Sequence, residues 1–235
     1  MTVNIDVLAS SSAGNAYIIG DGKTKLLLEC GIPIAELQKR SRFTLSQCAA
    51  CLLSHQHGDH SKAWRDVTRY MPIYMLADTA YALGASGHKI KTFLELEAFP
   101  VGTFSITPIP AAHDVPCAAF IIYSMETFET LLFVTDCAYL RHRVYAAHYA
   151  MIECNYQQEI IDEAVNSGKL DDRARRRIMQ THTELKTTEK ILSDLDSAFL
   201  KAIYIIHTSS RNSDVNAIKT EIQQFTGNPV YIAKA

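Results

Sequence analysis

The sequence predicts an α/β fold, and three observations carry the prediction. Short apolar runs of strand length, bounded by Gly, Pro, Asn and Asp, fall in both halves of the chain and flank helix-like segments. At 235 residues the chain is long enough for one well-cored domain and too short for two large ones, so residues 1–235 are expected to form a single domain. Apolar residues make up 48%, an ordinary globular share, and no apolar run approaches the length of a membrane span. Met1-Thr2-Val3-Asn4-Ile5-Asp6 has neither a basic region nor a long apolar core, so no signal peptide is expected. Cys30, Cys48, Cys51, Cys117, Cys137 and Cys154 stand mostly inside apolar runs. That pattern points to buried thiols in a reducing compartment, the cytoplasm, rather than to a disulfide framework. A net charge of −2 demands no nucleic-acid partner.

Val3 to Ala9 reads as the opening strand, Ser10 to Asn15 as a small-residue loop, and Ala16 to Gly20 as a second strand. Asp21-Gly22 is a hairpin signal, with Thr24 to Glu29 as the returning strand. Pro33 to Arg40 reads as a helix with Pro early in its first turn. Cys48 and Cys51 form a C-x-x-C at the entry to a strand; with no helix N-terminus and no second pair they read as structural. The run Ala49 to Ser54 reads as a buried strand, and His55-Gln56-His57-Gly58-Asp59-His60 leaves its end. In an extended or tightly turned segment His55 and His57 point to one side, and Asp59 and His60 come round to a second position. Neutral imidazole and carboxylate are ligands that Zn²⁺, Mn²⁺ or Fe accept. The competing reading is a His-rich surface loop; the strand before it and the helix-like segment after it argue for the metal.

Downstream, Ser61 to Tyr70 reads as a helix, Pro72 to Leu76 as a strand and Asp78 to Leu83 as a helix. Strands come next at Thr92 to Phe99 and Thr103 to Ile109, then a loop from Pro110 to Pro116 carrying His113, and a strand from Cys117 to Tyr123. Leu131 to Thr135 is a strand that delivers Asp136. His142 and His148 fall in a mixed helical stretch and read as non-ligands. Ala150 to Cys154 is a strand with Glu153 near its end; Gln157 to Asn166 and Asp171 to Met179 are helices joined at Gly168. Arg173, Arg175, Arg176 and Arg177 read as a solvated helix face, with phosphate contact near the site as the alternative. Thr181 to Thr188 is expected to begin a helix with a Thr cap, which places His182 at a helix start. Lys201 to Ile206 is a strand delivering His207-Thr208-Ser209-Ser210. Ser213 to Phe225 is amphipathic, with Val215, Ile218, Ile222 and Phe225 on one face and Gly227 closing it; Pro229 to Ala233 is the last strand.

The H-x-H-x-D-H run resembles the metal motif of the metallo-β-lactamase-fold hydrolases. Leu-Ala-Ser-Ser-Ser-Ala-Gly-Asn (residues 8–15) and Leu-Leu-Leu-Glu-Cys-Gly (26–31) resemble the first strands of that superfamily, although Glu29 stands where the family usually has Asp. His113-Asp-Val-Pro resembles the loop of the third histidine, and Phe-Val-Thr-Asp136 resembles the strand ending in the bridging carboxylate. The resemblance covers nearly the whole chain and implies an αββα four-layer sandwich. It implies two divalent ions, Zn or Mn: one on His55, His57 and His113, the other on Asp59, His60 and His207, with Asp136 shared. It further implies Glu29 and Glu153 as braces behind the ligands.

His182 with the tail His207-Thr-Ser-Ser-Arg-Asn looks like the phosphodiesterase branch, which includes ribonuclease Z and small exonuclease-like proteins. There the corresponding histidine assists the leaving oxygen, so His182 and Asp59 are the expected catalytic residues, and Ser209 and Ser210 the expected substrate contacts. The expected activity is hydrolysis of a phosphodiester at a nucleotide or nucleic-acid end through a hydroxide bridging the two ions. A cyclic-nucleotide phosphodiesterase of the phage or bacterial type is the alternative, and a lactone or thioester hydrolase is the alternative of another class. Ribonuclease Z carries a long tRNA-gripping arm between the third histidine and the bridging carboxylate; only Ala118 to Thr135 lie there, enough for a hairpin. No membrane partner is expected. Small members of the family pair, so a homodimer is also an expectation.

Overall fold

The structure, a computed structural model, describes residues 2–234. It divides into two compact units. The first takes the chain up to Pro108 together with Phe120–Thr130; the second takes Ile109–Ala119 and Leu131–Ala233.

The first unit opens with β1 (Asn4–Ser11), β2 (Gly14–Gly20) and β3 (Lys25–Leu28), an antiparallel meander. The small-residue loop expected over Ser10 to Asn15 is a hairpin instead. Ser11 pairs with Gly14 across a two-residue turn, because the small side chains let both strands run to its edge. At the next turn Asp21 caps the chain, accepting the Lys23 and Thr24 N–H groups at 3.0 and 2.8 Å. Burial pushes the Asp21 carboxyl up, but these bonds and those from Thr103 and Ser124 outweigh it and hold it below the usual carboxylate range.

The sheet continues in parallel through β4 (Ala50–Leu52), β5 (Ile73–Leu76) and β6 (Ile90–Phe93). Strands buried on both faces read as continuous apolar runs, and β3 to β5 do so. Helix α1 (Ile34–Arg40) starts one residue after Pro33, which sits at the cap. The long helix expected over Ser61 to Tyr70 is two short ones, α2 (Gly58–Ser61) and α3 (Trp64–Val67). The break has a cause: the Ala63 N–H bonds the Cys30 carbonyl at 2.9 Å instead of continuing the helical ladder. Helix α4 (Ala77–Leu83) closes on Gly84 in the left-handed conformation. The strand expected over Thr92 to Phe99 is also split. Leu96 has φ 65°, which ends the extended run, so β6 and β7 (Phe99–Val101) pair in different sheets.

In the second sheet the order is β11-β8-β9-β10-β12-β13-β14, with β7 also on β8. Its strands are β8 (Phe104–Ala112), β9 (Cys117–Ser124), β10 (Thr130–Val134), β11 (Tyr139–Leu140), β12 (Tyr149–Glu153), β13 (Ala202–Ile206) and β14 (Val230–Ile232). Strand β8 runs through Pro110 to Ala112, so the expected loop before His113 is shorter than its prolines suggest. No helix forms around His142 and His148; Val144 and Ala147 are buried at helical spacing, but the segment is irregular.

Strands β10, β12, β13 and β14 are parallel. Helices α5 (Gln158–Asn166), α6 (Asp172–Thr181), α7 (Leu185–Asp194) and α8 (Val215–Thr226) belong to the second unit. On α8, Ile218 and Ile222 are fully buried, worth about 1.5–3 kcal/mol each. Phe225, expected on the same face, is half exposed in the last turn of the helix. Among the described residues no helix is long and apolar enough to cross a membrane. All six cysteines are buried, and none among the described residues forms a disulfide.

Candidate metal centre

In the first unit the donors come from one loop. Parallel pairing sets Leu28 of β3 beside Leu52 of β4, so the two strands end level. Glu29 leaves β3 with φ 61° and His55 comes three residues after β4. The left-handed turn costs a side-chain-bearing residue about 1–3 kcal/mol, and it aims the Glu29 carboxylate at the loop. Glu29 Oε1 accepts the Ser54 N–H at 3.1 Å, and Oε2 lies 3.4 Å from His60 Nδ1. His57 caps α2, which carries Asp59 and His60; the motif is therefore partly helical rather than an open loop.

Ser61 fixes the turn by donating its hydroxyl toward the Gln56 and His57 carbonyls at 2.9 and 3.0 Å. The Cys30 N–H bonds the His60 carbonyl at 2.8 Å, and Gly31 packs so closely that a Cβ there would lie 1.6 Å from the Asp59 carbonyl oxygen. The rings of His55 and His57 are 4.7 Å apart and those of His55 and His60 4.3 Å. Two charged rings at about 4.5 Å would repel by roughly 4 kcal/mol at an effective dielectric of 20. His55 and His60 are buried and His57 is half-buried, so the crowding disfavours charge on neighbouring rings and suits imidazoles that share a cation as ligands.

In the second unit the donors come from the ends of different strands. Val134 pairs with Ile152, and Glu153 with Ile206, so β10, β12 and β13 finish at one level. Asp136, Glu153 and His207 leave that carboxyl edge, the side of a parallel sheet where α/β proteins bind ligands. Asp136 has φ 30° and His207 φ 51°. Glu153 is the hub. Its Oε1 lies 2.8 Å from Nδ1 of both His182 and His207, and Oε2 accepts the Cys137 and Thr183 N–H groups at 3.3 and 3.0 Å. Burial and Asp136 raise the Glu153 pKa, but His182 and His207 outweigh them and hold it below the usual value. An ionised carboxylate only accepts, so both Nδ1 atoms carry the proton and each ring turns Nε2 away from the hub.

Burial works against a charged His182, but Glu153 and Asp136 outweigh it and raise its pKa. Asp136 Oδ1 accepts the Thr135 hydroxyl at 2.9 Å and lies 3.2 Å from His207 Nδ1. Asp136, Glu153, His182 and His207 each offer a ligand atom, all within 4.8 Å of one another. Cys137 beside them belongs to none of the candidate donor groups among the described residues, and burial, then Glu153, pushes its thiol far above the ordinary range.

His182 does not start a helix. It caps the C-terminus of α6, and α7 begins only at Leu185 with Glu184 as its cap, the carboxylate accepting the Lys186 and Thr187 N–H groups. The Thr expected to cap is engaged elsewhere, Thr183 Oγ1 donating to the Cys137 carbonyl at 2.6 Å. His113 comes directly after β8, its Nε2 3.2 Å from Asp114. Ser209 Oγ accepts the Arg211 and Asn212 N–H groups at 3.4 and 3.3 Å, and Ser210 is exposed.

Sequence reading missed Asn15, Asn155 and Thr183. Asn15 reaches the Asp59 carbonyl and the His60 ring at 3.3 Å, and Asn155 donates to the His207 carbonyl at 2.9 Å. A buried Asn directly after a strand-end turn was the available signal for Asn15; Asn155, two residues past Glu153, had none.

The donor set itself fits divalent ions: neutral imidazoles and buried carboxylates, with no buried lysine or arginine among the described residues to neutralise the acids. A family model described as "Beta-lactamase superfamily domain" matches residues 24–207. The chain is 23% identical over 240 residues to an exodeoxyribonuclease, YycJ, of Bacillus anthracis, covering 95% of this chain and 89% of that one. Among solved structures, the metallo-β-lactamase-fold protein YhfI of Bacillus subtilis superposes with a TM-score of 0.76 at 19% identity, covering 99% and 96%. A diphosphatase of the PhnP family superposes at 0.69 and 14% identity, covering 100% and 94%. The fold expected from the sequence is the one found.

Proposed function

The chain belongs to the β-lactamase superfamily and is a metal-dependent hydrolase; on that premise we propose that it cleaves phosphodiesters at a nucleotide or nucleic-acid end. Two divalent ions, Zn or Mn, would be held by His55, His57 and His113 and by Asp59, His60 and His207, with Asp136 common to both. When bound, such ions supply Lewis acidity toward a phosphate and acidify water. The chain's own residues do the rest. Glu153 holds His207 by Nδ1, so that Nε2 would be its ligating atom, and the Glu29 carboxylate stands 3.4 Å from His60 Nδ1 as a nearby counter-charge.

His182 carries the reading. It stands 3.8 Å from Asp136 but is held by Nδ1 on Glu153, an arrangement that suits a proton donor rather than a ligand. Its side chain is 23% exposed, whereas that of His207 is fully buried. From Nε2 it would protonate the departing alkoxide, the step a phosphodiester needs and a thioester, with its good leaving group, does not. Ser209 and Ser210, in the turn after His207, are proposed to contact a non-bridging oxygen. That the Bacillus anthracis relative is an exodeoxyribonuclease favours a DNA end among the candidate substrates.

The test is a panel with Zn²⁺ and Mn²⁺: single-stranded DNA and RNA with free ends, cyclic mononucleotides, pre-tRNA, bis-p-nitrophenyl phosphate and a generic lactone. Turnover of oligonucleotides and of the nitrophenyl ester, with little on pre-tRNA or the lactone, is expected. Lactone turnover exceeding that of every phosphodiester would overturn the proposal.

A further inference from the structure

A second feature of the first unit has no part in the metal chemistry. Helix α3 and the segment from Gly84 to Ile90 wall a groove of about 530 Å³, lined by Trp64, Arg65, Thr68, His88 and Lys89 among others. That is room for an organic ligand, more than a lone inorganic ion needs. No aspartate or glutamate lines it. The Arg65 guanidinium lies 4.4 Å over the Trp64 ring, whose other contacts are with the apolar cluster of the unit. Lys89 donates to the Arg69 carbonyl at 3.2 Å, which holds its ammonium in place with two N–H groups to spare. Among the described residues neither Arg65 nor Lys89 has a carboxylate partner; the nearby acid, Asp66, is taken by Arg69 at 3.5 Å.

The groove therefore presents an aromatic ring stacked with a guanidinium, two cations without counter-charge, a histidine and the Ser86 hydroxyl; the Thr68 hydroxyl is engaged, donating to the Arg65 carbonyl at 2.6 Å. This combination of backbone-tracking charge and a stacking platform is what single-stranded nucleic acid binds. The groove starts four residues after the ligand His60, on the same unit as the donor loop.

We propose that this groove binds the sugar–phosphate backbone of a single nucleic-acid strand away from the cleaved bond; the proposal rests on the phosphodiesterase reading for why a strand should be there. It makes the enzyme's preferred substrate a polymer rather than a mononucleotide.

Trp64 is the one tryptophan in the chain, so the groove reports on itself. The wild-type protein is titrated with a hydrolysis-resistant phosphorothioate dT oligonucleotide, with dTMP and with inorganic phosphate, monitoring tryptophan emission. The oligonucleotide should shift the emission saturably and bind at least tenfold tighter than dTMP or phosphate. An Arg65→Gln, Lys89→Gln double variant should weaken that binding about tenfold and flatten the log affinity against log salt slope by about 1.4, two phosphate contacts at roughly 0.7 each. Its turnover of bis-p-nitrophenyl phosphate should be unchanged. Emission that stays fixed while the protein cleaves the same sequence in phosphodiester form would refute the proposal, as would equal affinity for dTMP. Parallel loss of nitrophenyl-ester turnover would also refute it. A saturable, salt-sensitive shift in a protein that cleaves no phosphodiester would uphold the groove and bring down the catalytic reading alone.

Discussion

The two donor sets are built on one plan from different material. In each unit a buried glutamate at the end of a parallel strand faces an imidazole: Glu29 lies 3.4 Å from His60 without a hydrogen bond, and Glu153 lies 2.8 Å from His182 and His207. In the first unit His55, His57, Asp59 and His60 lie within one short stretch, and one loop conformation positions them all. In the second, His113, Asp136, His182 and His207 are spread over nearly a hundred residues, and only the level ends of β10, β12 and β13 bring the last three together with Glu153. A contiguous set is robust to a change in any one neighbour. A dispersed set hangs on its hub, and the hub carries the tightest contacts.

The largest effect is expected at Asp136. If it is shared by both ions, Asp136→Ala empties both sites and lowers turnover about a thousandfold or more, the several kcal/mol that a metal ion contributes. His207→Ala should strip one ion and leave the His55–His57–His113 set loaded. Elemental analysis of the two variants decides, and equal loss from both would end the distinction between a shared and an unshared ligand.

Next comes His182→Ala, which should keep its metal and its fold. Its turnover should fall about a hundredfold to ten-thousandfold on a diester with an alkoxide leaving group, and far less on a nitrophenyl ester. A matching fall on both substrates, with metal lost, would make His182 a ligand or a scaffold residue.

The two braces allow the comparison to be tested directly. Glu153→Gln should weaken metal affinity near the hundredfold end of the range for such partners, and Glu29→Gln near the tenfold end. Glu153 holds two rings at 2.8 Å, whereas Glu29 faces one at a longer distance. Chelator competition measures both, and the reverse order would mean that the contiguous set is the more dependent on its brace.

The smallest effect is structural. Gly31→Ala forces a Cβ against the Asp59 carbonyl and should cost about 1–3 kcal/mol, a Tm lower by about 3–10 °C. Gly58→Ala, with nothing within 4 Å of its added Cβ, should leave Tm unchanged or slightly raised.

The sequence alone determined the elements whose information is local. Apolar runs of strand length became strands, Gly227 ended α8, and His55, His57, Asp59 and His60 came together within one short stretch, because spacing along the chain is spacing in space over that range. It misplaced those elements that depend on a distant partner. The helix after His60 breaks because the Cys30 carbonyl takes the Ala63 N–H. The strand after Thr92 divides at Leu96, whose left-handed backbone sends its halves to different sheets. His182 ends a helix rather than starting one, because Glu153 holds its ring, the adjoining Thr183 amide bonds the same carboxylate, and Glu184 caps α7. Only the tertiary structure could make Glu153 the centre of the second set. A glutamate at the end of a strand is ordinary until the register of its neighbours brings two histidines to one of its oxygens. That register is set by side-chain packing across the whole sheet, not by the residues that use it.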